Sequence, residues 1–331
     1  MANSGKKVRA LGLCSGGLDS TLAGLVLRKQ QIEVEWISFE TPFFSAKNAR
    51  RAAEQTGIPL AVENITDRYV TMLRNPNCGY GQHMNPCLDC HALMFRVASR
   101  IMKMRKFDFL FSGEVVGQRP MSQTKPSLRY VEKNSDCDGY ILRPLSAKLL
   151  PETIPEKEGL ADREQLLDIS GRGRKRQIQL AKAFSITDYP APAGGCLLTD
   201  KGFSNRLRDL FAHQEATTEN ELRLLRYGRH FRLNDLSKLI VGRTQADNDN
   251  LLRYHNPKTD TVIKANHFPS PVAILPNGSR KEVITLAASI CAGYSKAPAL
   301  TAVDVSIVSP EGGATVRVLG LLPSDVSKFL I

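Results

Sequence analysis

The sequence predicts an α/β fold, a parallel sheet with helices on both faces, followed by a smaller α+β domain. From residue 7 to about residue 113, apolar strand-like runs alternate with helix-like segments, and such alternation is typical of parallel sheets. Beyond residue 227, short strand-like runs surround two helical segments. A length of 331 residues also exceeds what one hydrophobic core comfortably serves, which favours two domains.

The first half of the chain supplies the parallel sheet. Its predicted strands are Val8–Cys14, Glu33–Phe39, Pro59–Val62 and Phe107–Phe111, and its predicted helices are Asp19–Gln30, Ser45–Gly57 and His91–Arg105. The polar stretch from Gln118 to Tyr140 predicts a long loop. Two further helices are predicted at Asp162–Ile169 and Lys175–Phe184.

The second half of the chain has a different pattern of predicted helices and strands. Amphipathic helices at Ser204–His213 and Glu219–Leu225 predict a connector. The following strands are predicted at Leu239–Val241, Val262–Lys264, Val272–Leu275, Val303–Val308 and Thr315–Leu319, with helices at Ala246–Tyr254 and Glu282–Tyr294. The predicted organisation is therefore a domain over 1–200, a connector over 201–226 and a second domain over 227–331.

Composition narrows the class of protein. Hydrophobic residues make up 42% and charged residues 24%, as in soluble globular chains, and no apolar run approaches the ~20 residues that span a bilayer. The basic N-terminus lacks the cleavage pattern of a signal peptide, so we expect a cytoplasmic protein without a membrane partner. Lysine and arginine outnumber aspartate and glutamate by 45 to 33. This excess favours nucleic acid as a partner, with a solvated basic surface as the alternative.

A glycine-rich loop lies between the first predicted strand and the first predicted helix. It reads Ser15-Gly16-Gly17-Leu18-Asp19-Ser20. A strand, a glycine turn and a helix N-terminus present several backbone N–H groups to one small space, which suits a phosphate or pyrophosphate. The loop has neither the spacing nor the lysine of the common P-loop. We therefore expect an anion-binding loop of a different kind.

Three of the seven cysteines form the second chemical pattern. Cys87 and Cys90 precede a predicted helix, and Cys196 follows much later in a turn that contains Gly194 and Gly195. Three thiolates on an iron–sulfur cubane would leave one iron without a protein ligand, able to hold hydrosulfide. Zinc with help from a nearby histidine, a persulfide-forming cysteine pair and an inert buried set are the alternatives.

The loop resembles the PP-loop, S-G-G-x-D-S, of ATP pyrophosphatases. Two later stretches, Ser112–Gln118 with Ser122-Gln123-Thr124 and then Arg143-Pro144-Leu145, resemble the tRNA 4-thiouridine synthetase family. The segment Asn85-Pro86-Cys87 is also similar to the tRNA 2-thiouridylase family. The likeness runs roughly from Val8 to Thr199. The chain differs from the bacterial 4-thiouridine enzyme in the domains that flank this region. The resemblance therefore does not identify the sulfur donor or the surface that docks tRNA.

The resemblance implies a HUP-like fold and an ATP-dependent tRNA sulfurtransferase. In the reaction that the resemblance implies, ATP with Mg²⁺ transfers AMP to a uridine carbonyl oxygen and pyrophosphate leaves. Sulfur then displaces AMP. It further implies that Asp19 helps to hold magnesium and pyrophosphate, and that a [4Fe-4S] cluster is held by Cys87, Cys90 and Cys196. On this reading the catalytic residues are Asp19, Cys87 and Cys196. The sulfur donor is free sulfide or a carrier protein, and a homodimer is possible.

The remaining site residues follow from the ends of the predicted strands, where ligands of parallel sheets bind. The predicted nucleotide contacts are Ser15, Gly16, Gly17, Asp19, Ser20, Phe39, Thr41, Gly113, Glu114 and Gln118. For Phe39 and Thr41, the alternative to a nucleotide contact is an ordinary strand end. For Glu114, the alternative is a structural carboxylate. Gln118 and the Ser122–Thr124 segment could contact either the nucleotide or the target base.

Two regions are expected to contact RNA. The densest basic run contains Arg172, Arg174, Lys175 and Arg176, which suits a tRNA backbone, and a solvated helix start is the alternative. The residues after Tyr227 resemble the NFACT-R domain, a module proposed to bind RNA, with a structural cap as the alternative. Two other functions stay open: a PP-loop ligase acting on a small molecule and a non-catalytic RNA-binding protein.

Overall fold

The computed structural model describes residues 7–191, 196–299 and 301–331, which form two compact units. The first unit ends at Cys196 and the second begins at Leu197. Gly194 and Gly195, the glycines of the predicted turn before Cys196, lie outside the described residues.

The first unit contains a five-stranded parallel sheet, which confirms the predicted α/β class. Its strands are β1 (Arg9–Leu13), β2 (Glu33–Glu40), β3 (Leu60–Asn64), β4 (Phe109–Ser112) and β5 (Ile141–Leu142), in the order β3-β2-β1-β4-β5. The two-residue β5 was not predicted. The chain reverses its direction of winding between β1 and β4, so the ends of these two strands flank the crevice in which such sheets bind ligands. Leu13 and Ser112 are paired at that end.

Seven helices are described in the first unit. They are α1 (Leu18–Lys29), α2 (Lys47–Thr56), α3 (Thr66–Arg74), α4 (Cys87–Met104), α5 (Lys125–Lys133), α6 (Ile154–Lys157) and α7 (Lys175–Ala183). The core consists of fully buried side chains such as Trp36, Phe109 and Phe111, covered by Leu22 and Leu27 of α1. The apolar faces of these elements produce the alternation that predicted the fold.

Three local predictions in this unit are corrected. The helix predicted from His91 begins at Cys87, so the cysteine pair lies in its first turn. The predicted loop over 118–140 contains α5, which is capped by Thr124 and buries Leu128 and Val131. The helix predicted at Asp162–Ile169 is wrong apart from a single 3₁₀ turn, because Leu167 and Ile169 instead donate backbone hydrogen bonds to Pro144 and Leu145.

The second unit contains a six-stranded antiparallel sheet, which confirms a separate α+β domain. Its strands are β6 (Arg229–Arg232), β7 (Lys238–Val241), β8 (Thr261–Ala265), β9 (Ala273–Leu275), β10 (Ala302–Ser309) and β11 (Gly312–Leu319), in the order β11-β10-β8-β9-β7-β6. The strand β6 was not predicted. Its helices are α8 (Lys201–His213), α9 (Glu219–Leu224), α10 (Gln245–Tyr254) and α11 (Lys281–Gly293).

Helices cover both faces of this sheet. Leu239 and Val241 of β7 pack in the cluster that contains α11, whereas Ile240 between them packs with α9 and α10. Alternating strand residues point to opposite faces, so one strand serves both clusters. The segment predicted as a connector, 201–226, lies within this unit. Its Asp209 accepts hydrogen bonds from Arg232 and Lys238 at 2.7 and 2.9 Å.

Within the described ranges, none of the helices has the length and apolar character needed to cross a membrane.

Candidate active site

The glycine loop joins β1 to α1 as the sequence predicted. Gly17 is the N-cap of α1 and makes no side-chain cap, so the N–H groups of the first turn are not occupied by a capping side chain. The first N–H groups of any helix lack intrahelical acceptors. Ser20 and Thr21 donate their hydroxyl hydrogens to the Gly17 carbonyl oxygen at 2.9 and 3.1 Å, which fixes the turn. Ser15 is exposed beside it. The loop therefore has the backbone shape that the predicted anion site requires.

Two glycines allow this loop to lie where it does. Gly16 has a φ of +72°, and an added Cβ would lie 2.0 Å from the carbonyl carbon of Asn48. At Gly113, just after β4, an added Cβ would lie 2.4 Å from the backbone nitrogen of Ser20. Gly113 therefore lets the end of β4 approach the start of α1. The structure brings this predicted site residue against the loop.

Asp19 lies in the first turn of α1, half-buried at the crevice. Its Oδ2 accepts a hydrogen bond from Gln118 Nε2 at 3.0 Å, which joins two predicted site residues. Its Oδ1 is buried and has no hydrogen-bond partner among the described residues. Burial raises the pKa of Asp19, and Gln118, Arg174 and Gln177 oppose that rise. Asp19 is thus a carboxylate with one oxygen in use and one oxygen available.

Helix α7 supplies further polar groups beside Asp19. Gln177 is 0% exposed, and within the described chain neither atom of its amide has a hydrogen-bond partner. Arg174 Nε and Gln123 Oε1 are likewise buried without a partner there. Buried polar groups in proteins are nearly always paired, so a group of unpaired ones needs a ligand, an ion or water to explain it. The residues around Asp19 therefore fit a polar, charged ligand.

The members of the basic run over 172–176 have different surroundings. Arg172 and Lys175 are exposed. Arg176 is paired with Asp168 at 2.5 Å. Arg174 interacts with Asp19 and lies over the ring of Tyr189, 5.9 Å from its centroid. Arg174 therefore lies near Asp19 of the glycine loop, while the side chains of Arg172 and Lys175 are exposed to solvent.

Phe39 and Thr41, the predicted adenine contacts, lie at the end of β2 beside β1. Both are 5% exposed. The hydroxyl of Thr41 accepts a hydrogen bond from the backbone nitrogen of Phe43 at 3.1 Å. Any contact that they make with a nucleotide in this conformation would use the backbone at the strand end.

Glu114 is the centre of a buried ionic network. Its Oε1 lies 2.9 Å from His91 Nδ1, and its Oε2 accepts hydrogen bonds from Ser112 Oγ at 3.0 Å and Arg143 Nε at 3.1 Å. Burial would raise the pKa of Glu114, but Arg143 and His91 lower it to about 2. Protein groups therefore engage both oxygens of this predicted nucleotide contact. The network ties the end of β4 to the chain after β5 and to the first turns of α4.

The structure brings Cys87, Cys90 and Cys196 into one region. Burial raises the pKa of Cys90 to about 12; Tyr69 opposes the rise through a hydrogen bond, whereas the charges of Cys196 and Cys87 add to it. In the part of the chain that the structure describes, no three His, Cys, Asp or Glu side chains converge closely enough to hold a single metal ion. The three cysteines thus lie near one another, but their sulfur atoms do not converge on a common metal position in this conformation.

Several residues around the cysteines were missed from the sequence. Asn85 Nδ2 donates to Cys87 Sγ at 3.3 Å, and the Tyr69 hydroxyl contacts Cys90. Asp89, between the paired cysteines, accepts hydrogen bonds from the backbone nitrogen of Cys78 and the hydroxyl of Tyr130 at 2.8 and 3.0 Å. Asn85 was marked only as part of the Asn85-Pro86-Cys87 resemblance, and Asp89 only by its position between the two cysteines. Nothing in the sequence marked Tyr69 or Gln177.

Comparison with known protein families finds one match in each unit. Residues 5–149 match the family model described as thiamine biosynthesis protein (ThiI). Residues 228–330 match the model described as NFACT protein RNA binding domain.

Curated relatives match the first unit. A protein of Lachnoclostridium phytofermentans named "Probable tRNA sulfurtransferase" is 28% identical over 173 residues, which cover 50% of this chain and 39% of that protein. A protein of Ureaplasma parvum with the same name is 31% identical over 150 residues, which cover 42% of this chain and 37% of that protein. The chain therefore spans less than half the length of these relatives.

Two solved structures show weaker likeness. A "predicted subunit of tRNA methyltransferase" from Methanocaldococcus jannaschii has a TM-score of 0.35 and 16% identity, covering 53% of this chain and 76% of that one. The C-terminal part of the fibronectin/fibrinogen-binding protein of Streptococcus suis has a TM-score of 0.29 and 15% identity, covering 74% and 99%. The likeness to known families therefore rests on the two family models, which match residues 5–149 and residues 228–330.

Proposed function

We propose that this protein is an ATP-dependent tRNA sulfurtransferase that replaces a uridine carbonyl oxygen with sulfur. The observation that carries the proposal is the set of unpaired buried polar atoms of Asp19, Arg174 and Gln177 beside the glycine loop. These atoms lie at the crevice between β1 and β4, where a parallel sheet binds its ligand. The match of residues 5–149 to the ThiI model and the names of the curated relatives support the tRNA substrate and the transfer of sulfur.

The glycine loop and Asp19 would serve the activation step. The uridine carbonyl oxygen attacks the α-phosphorus of ATP, the bond to the bridging oxygen breaks, and pyrophosphate leaves with that electron pair. The N–H groups at the start of α1 and the guanidinium of Arg174 stabilise negative charge on the leaving group. Asp19 Oδ1 has no hydrogen-bond partner among the residues that the structure describes, so it is the oxygen offered to Mg²⁺. The protein acts here mainly by positioning and by electrostatics.

The second step replaces AMP with sulfur. Hydrosulfide adds to the activated uridine carbon and loses its proton, and AMP departs with the former carbonyl oxygen. Free sulfide or a carrier protein supplies the sulfur. The adenylated carbon is a better electrophile than the original carbonyl carbon, because AMP leaves more readily than an oxide.

Cys87, Cys90 and Cys196 are the residues that would hold a [4Fe-4S] cluster. Burial and the charges of Cys196 and Cys87 disfavour the thiolate form of Cys90 and raise its pKa. Neighbouring thiolates become favourable when iron neutralises them, since metal ligands must be deprotonated. When bound, the cluster would offer an iron without a protein ligand to an incoming hydrosulfide. Asn85 and Tyr69 donate hydrogen bonds to two of the sulfurs and hold their orientation.

The NFACT-type domain and the exposed side chains of Arg172 and Lys175 would bind tRNA. A net charge of +12 attracts a polyanion over about a Debye length, and lysine and arginine contacts to phosphate need charge more than base sequence.

The activation step is tested by pyrophosphate release from anaerobically purified protein with Mg²⁺, ATP and tRNA. We expect release that requires tRNA and falls at least about 100-fold in Asp19→Asn, the size of loss expected when a charged transition-state contact is removed. Asp67→Asn is the matched control, because Asp67 is an exposed carboxylate in the first turn of α3. Release without tRNA would indicate a ligase acting on a small molecule. RNA binding without any ATP turnover would refute the enzyme.

The cluster is tested by iron and sulfide analysis and by visible absorption. We expect brown anaerobic protein, and we expect Cys87→Ala to lose its colour and iron. Cys78→Ala is the control because Cys78 is an exposed cysteine outside the set. Colourless protein with one equivalent of zinc would refute the cluster without touching the ATP step.

A further inference from the structure

Helix α7 places a buried amide beside Asp19. This helix packs against α1, and the Gln177 amide makes a weak hydrogen-bond contact with Asp19, which opposes the rise in its pKa but lacks the geometry of a full hydrogen bond in this conformation. Gln177 is completely buried, and no described residue hydrogen-bonds either its Oε1 or its Nε2. A buried amide without partners destabilises a fold, so its presence here is best explained by a partner that it gains in another state of the site.

Gln118 shows what that partner would be. Gln118 Nε2 already donates to Oδ2 of Asp19 at 3.0 Å. The other oxygen, Oδ1, is buried and has no hydrogen-bond donor in the described ranges, although the Gln177 amide is adjacent. A carboxylate offers about four lone-pair sites, so an amide bond to each oxygen still leaves room for a metal ion. Carboxylates that bind metal ions are themselves hydrogen-bonded by an outer layer of side chains.

We propose that Gln177 is a positioning residue for Asp19: when Mg²⁺ and ATP occupy the glycine loop, its Nε2 donates to Oδ1, so that Gln118 and Gln177 hold the carboxylate from both sides. The identity of the ligand rests on the proposed function, and the role of Gln177 rests on its burial and its unpaired amide. Gln177 acts through Asp19 and does not touch the nucleotide, since its side chain is enclosed. The same arrangement couples α7 to the occupancy of the loop.

This role predicts opposite effects with and without nucleotide. In Gln177→Leu, a similar volume replaces an amide that is unpaired in the free protein, so the melting temperature without nucleotide should rise by about 2–6 °C. The same variant lacks the donor for Oδ1, so it should need about tenfold more Mg²⁺ for half of the ATP-induced stabilisation. A residue with a purely structural role would not produce this combination.

The experiment is thermal unfolding of the full chain, followed by the fluorescence of Trp36. Trp36 is the sole tryptophan, is fully buried and lies in β2, so it reports on the first unit. Wild type, Gln177→Leu, Gln177→Glu and Gln179→Leu are compared at fixed ATP over a range of Mg²⁺ concentrations. Gln179 is exposed on the same helix, so its variant should respond like wild type. The glutamate variant places a second carboxylate beside Asp19 and should also weaken the response to Mg²⁺.

The outcomes separate this inference from the proposed function. If wild type is not stabilised by Mg²⁺ and ATP, the proposed nucleotide site fails. If wild type is stabilised and Gln177→Leu needs the same Mg²⁺ concentration, the inference about Gln177 is overturned and the nucleotide site stands. A lower melting temperature of Gln177→Leu without nucleotide would also overturn it, because the amide would then have partners that stabilise the free protein.

Discussion

Neutralising Glu114 should destabilise the first unit and remove the part of its acid sensitivity that comes from this carboxylate. Glu114 is buried between Arg143 and His91, and Arg143 is 3% exposed. In Glu114→Gln, Arg143 keeps its ion pair with Glu132 at 3.6 Å and its hydrogen bond to the Leu128 carbonyl oxygen at 3.4 Å. Breaking one partner of a buried ion pair typically costs about 3–5 kcal/mol, and we expect about 3 kcal/mol here because Glu132 remains.

The pKa of Glu114 gives an independent magnitude. It falls from an ordinary value of 4.5 to about 2 on folding. A carboxylate with a lowered folded-state pKa contributes stability above its unfolded pKa, and this stability is lost as the pH falls toward the folded pKa. The shift corresponds to about 3 kcal/mol, lost between about pH 5 and pH 2. Glu114→Gln should lack this part of the pH dependence, since glutamine does not titrate.

The assay is urea unfolding at pH 7 and at pH 3, followed by Trp36 fluorescence. At pH 7 we expect the variant to unfold at a clearly lower urea concentration, with the difference narrowing at pH 3. Asp138→Asn is the control: its pair with Arg129 is about half exposed, and such pairs contribute at most about 1 kcal/mol. Equal stability of wild type and Glu114→Gln at pH 7, or an unchanged difference at pH 3, would refute the reasoning about this network.

Three further predictions follow from the structure. Gly113→Ala should weaken ATP binding by at least about tenfold and destabilise the first unit by about 1–3 kcal/mol, because the added Cβ would lie 2.4 Å from the backbone nitrogen of Ser20. Calorimetry measures ATP binding, and an unchanged affinity of the variant would contradict this prediction. Arg174→Ala should weaken ATP binding and leave tRNA affinity unchanged, whereas Arg172→Ala should weaken tRNA binding, reduce its salt dependence and leave ATP binding unchanged. Calorimetry measures ATP binding and filter binding measures tRNA binding. Equal effects of both variants on both ligands would contradict the separate roles given to Arg174 and Arg172. Asp209→Asn should destabilise the second unit by about 3 kcal/mol, because Arg232 and the buried Lys238 lose their shared carboxylate. Urea unfolding of the full chain, followed by far-UV circular dichroism, measures this loss, and an unchanged unfolding curve would mean that these charges are solvated.

The periodic parts of the fold could be predicted from the sequence. Each buried strand and amphipathic helix of the first unit has its apolar pattern within its own residues. Their succession along the chain could therefore be predicted from the spacing of apolar residues. The helix α5 was missed because it is short and its first residues, including Pro126, look like a loop. The segment Asp162–Ile169 was assigned wrongly because its apolar residues are buried through contacts with Pro144 and Leu145, which are distant in sequence.

The same distinction applies to the site. The glycine loop is contiguous and was visible at once, and the cysteines stood out by residue type. Gln177, Tyr69 and the Glu114–Arg143 pair depend on contacts between segments far apart in the chain. A glutamine on an amphipathic helix or a tyrosine in a buried face carries no local signal of its partner. These contacts became apparent only when the helices were packed on the sheet.

The central claim is that this chain thiolates a tRNA uridine after activating it with ATP. Nucleoside mass spectrometry of tRNA from a deletion strain tests it most directly, with the strain complemented by wild type, Asp19→Asn or Cys87→Ala. The account predicts that one thiolated uridine disappears on deletion, returns with wild type and does not return with either variant. Normal thiolation in the deletion strain would contradict the account.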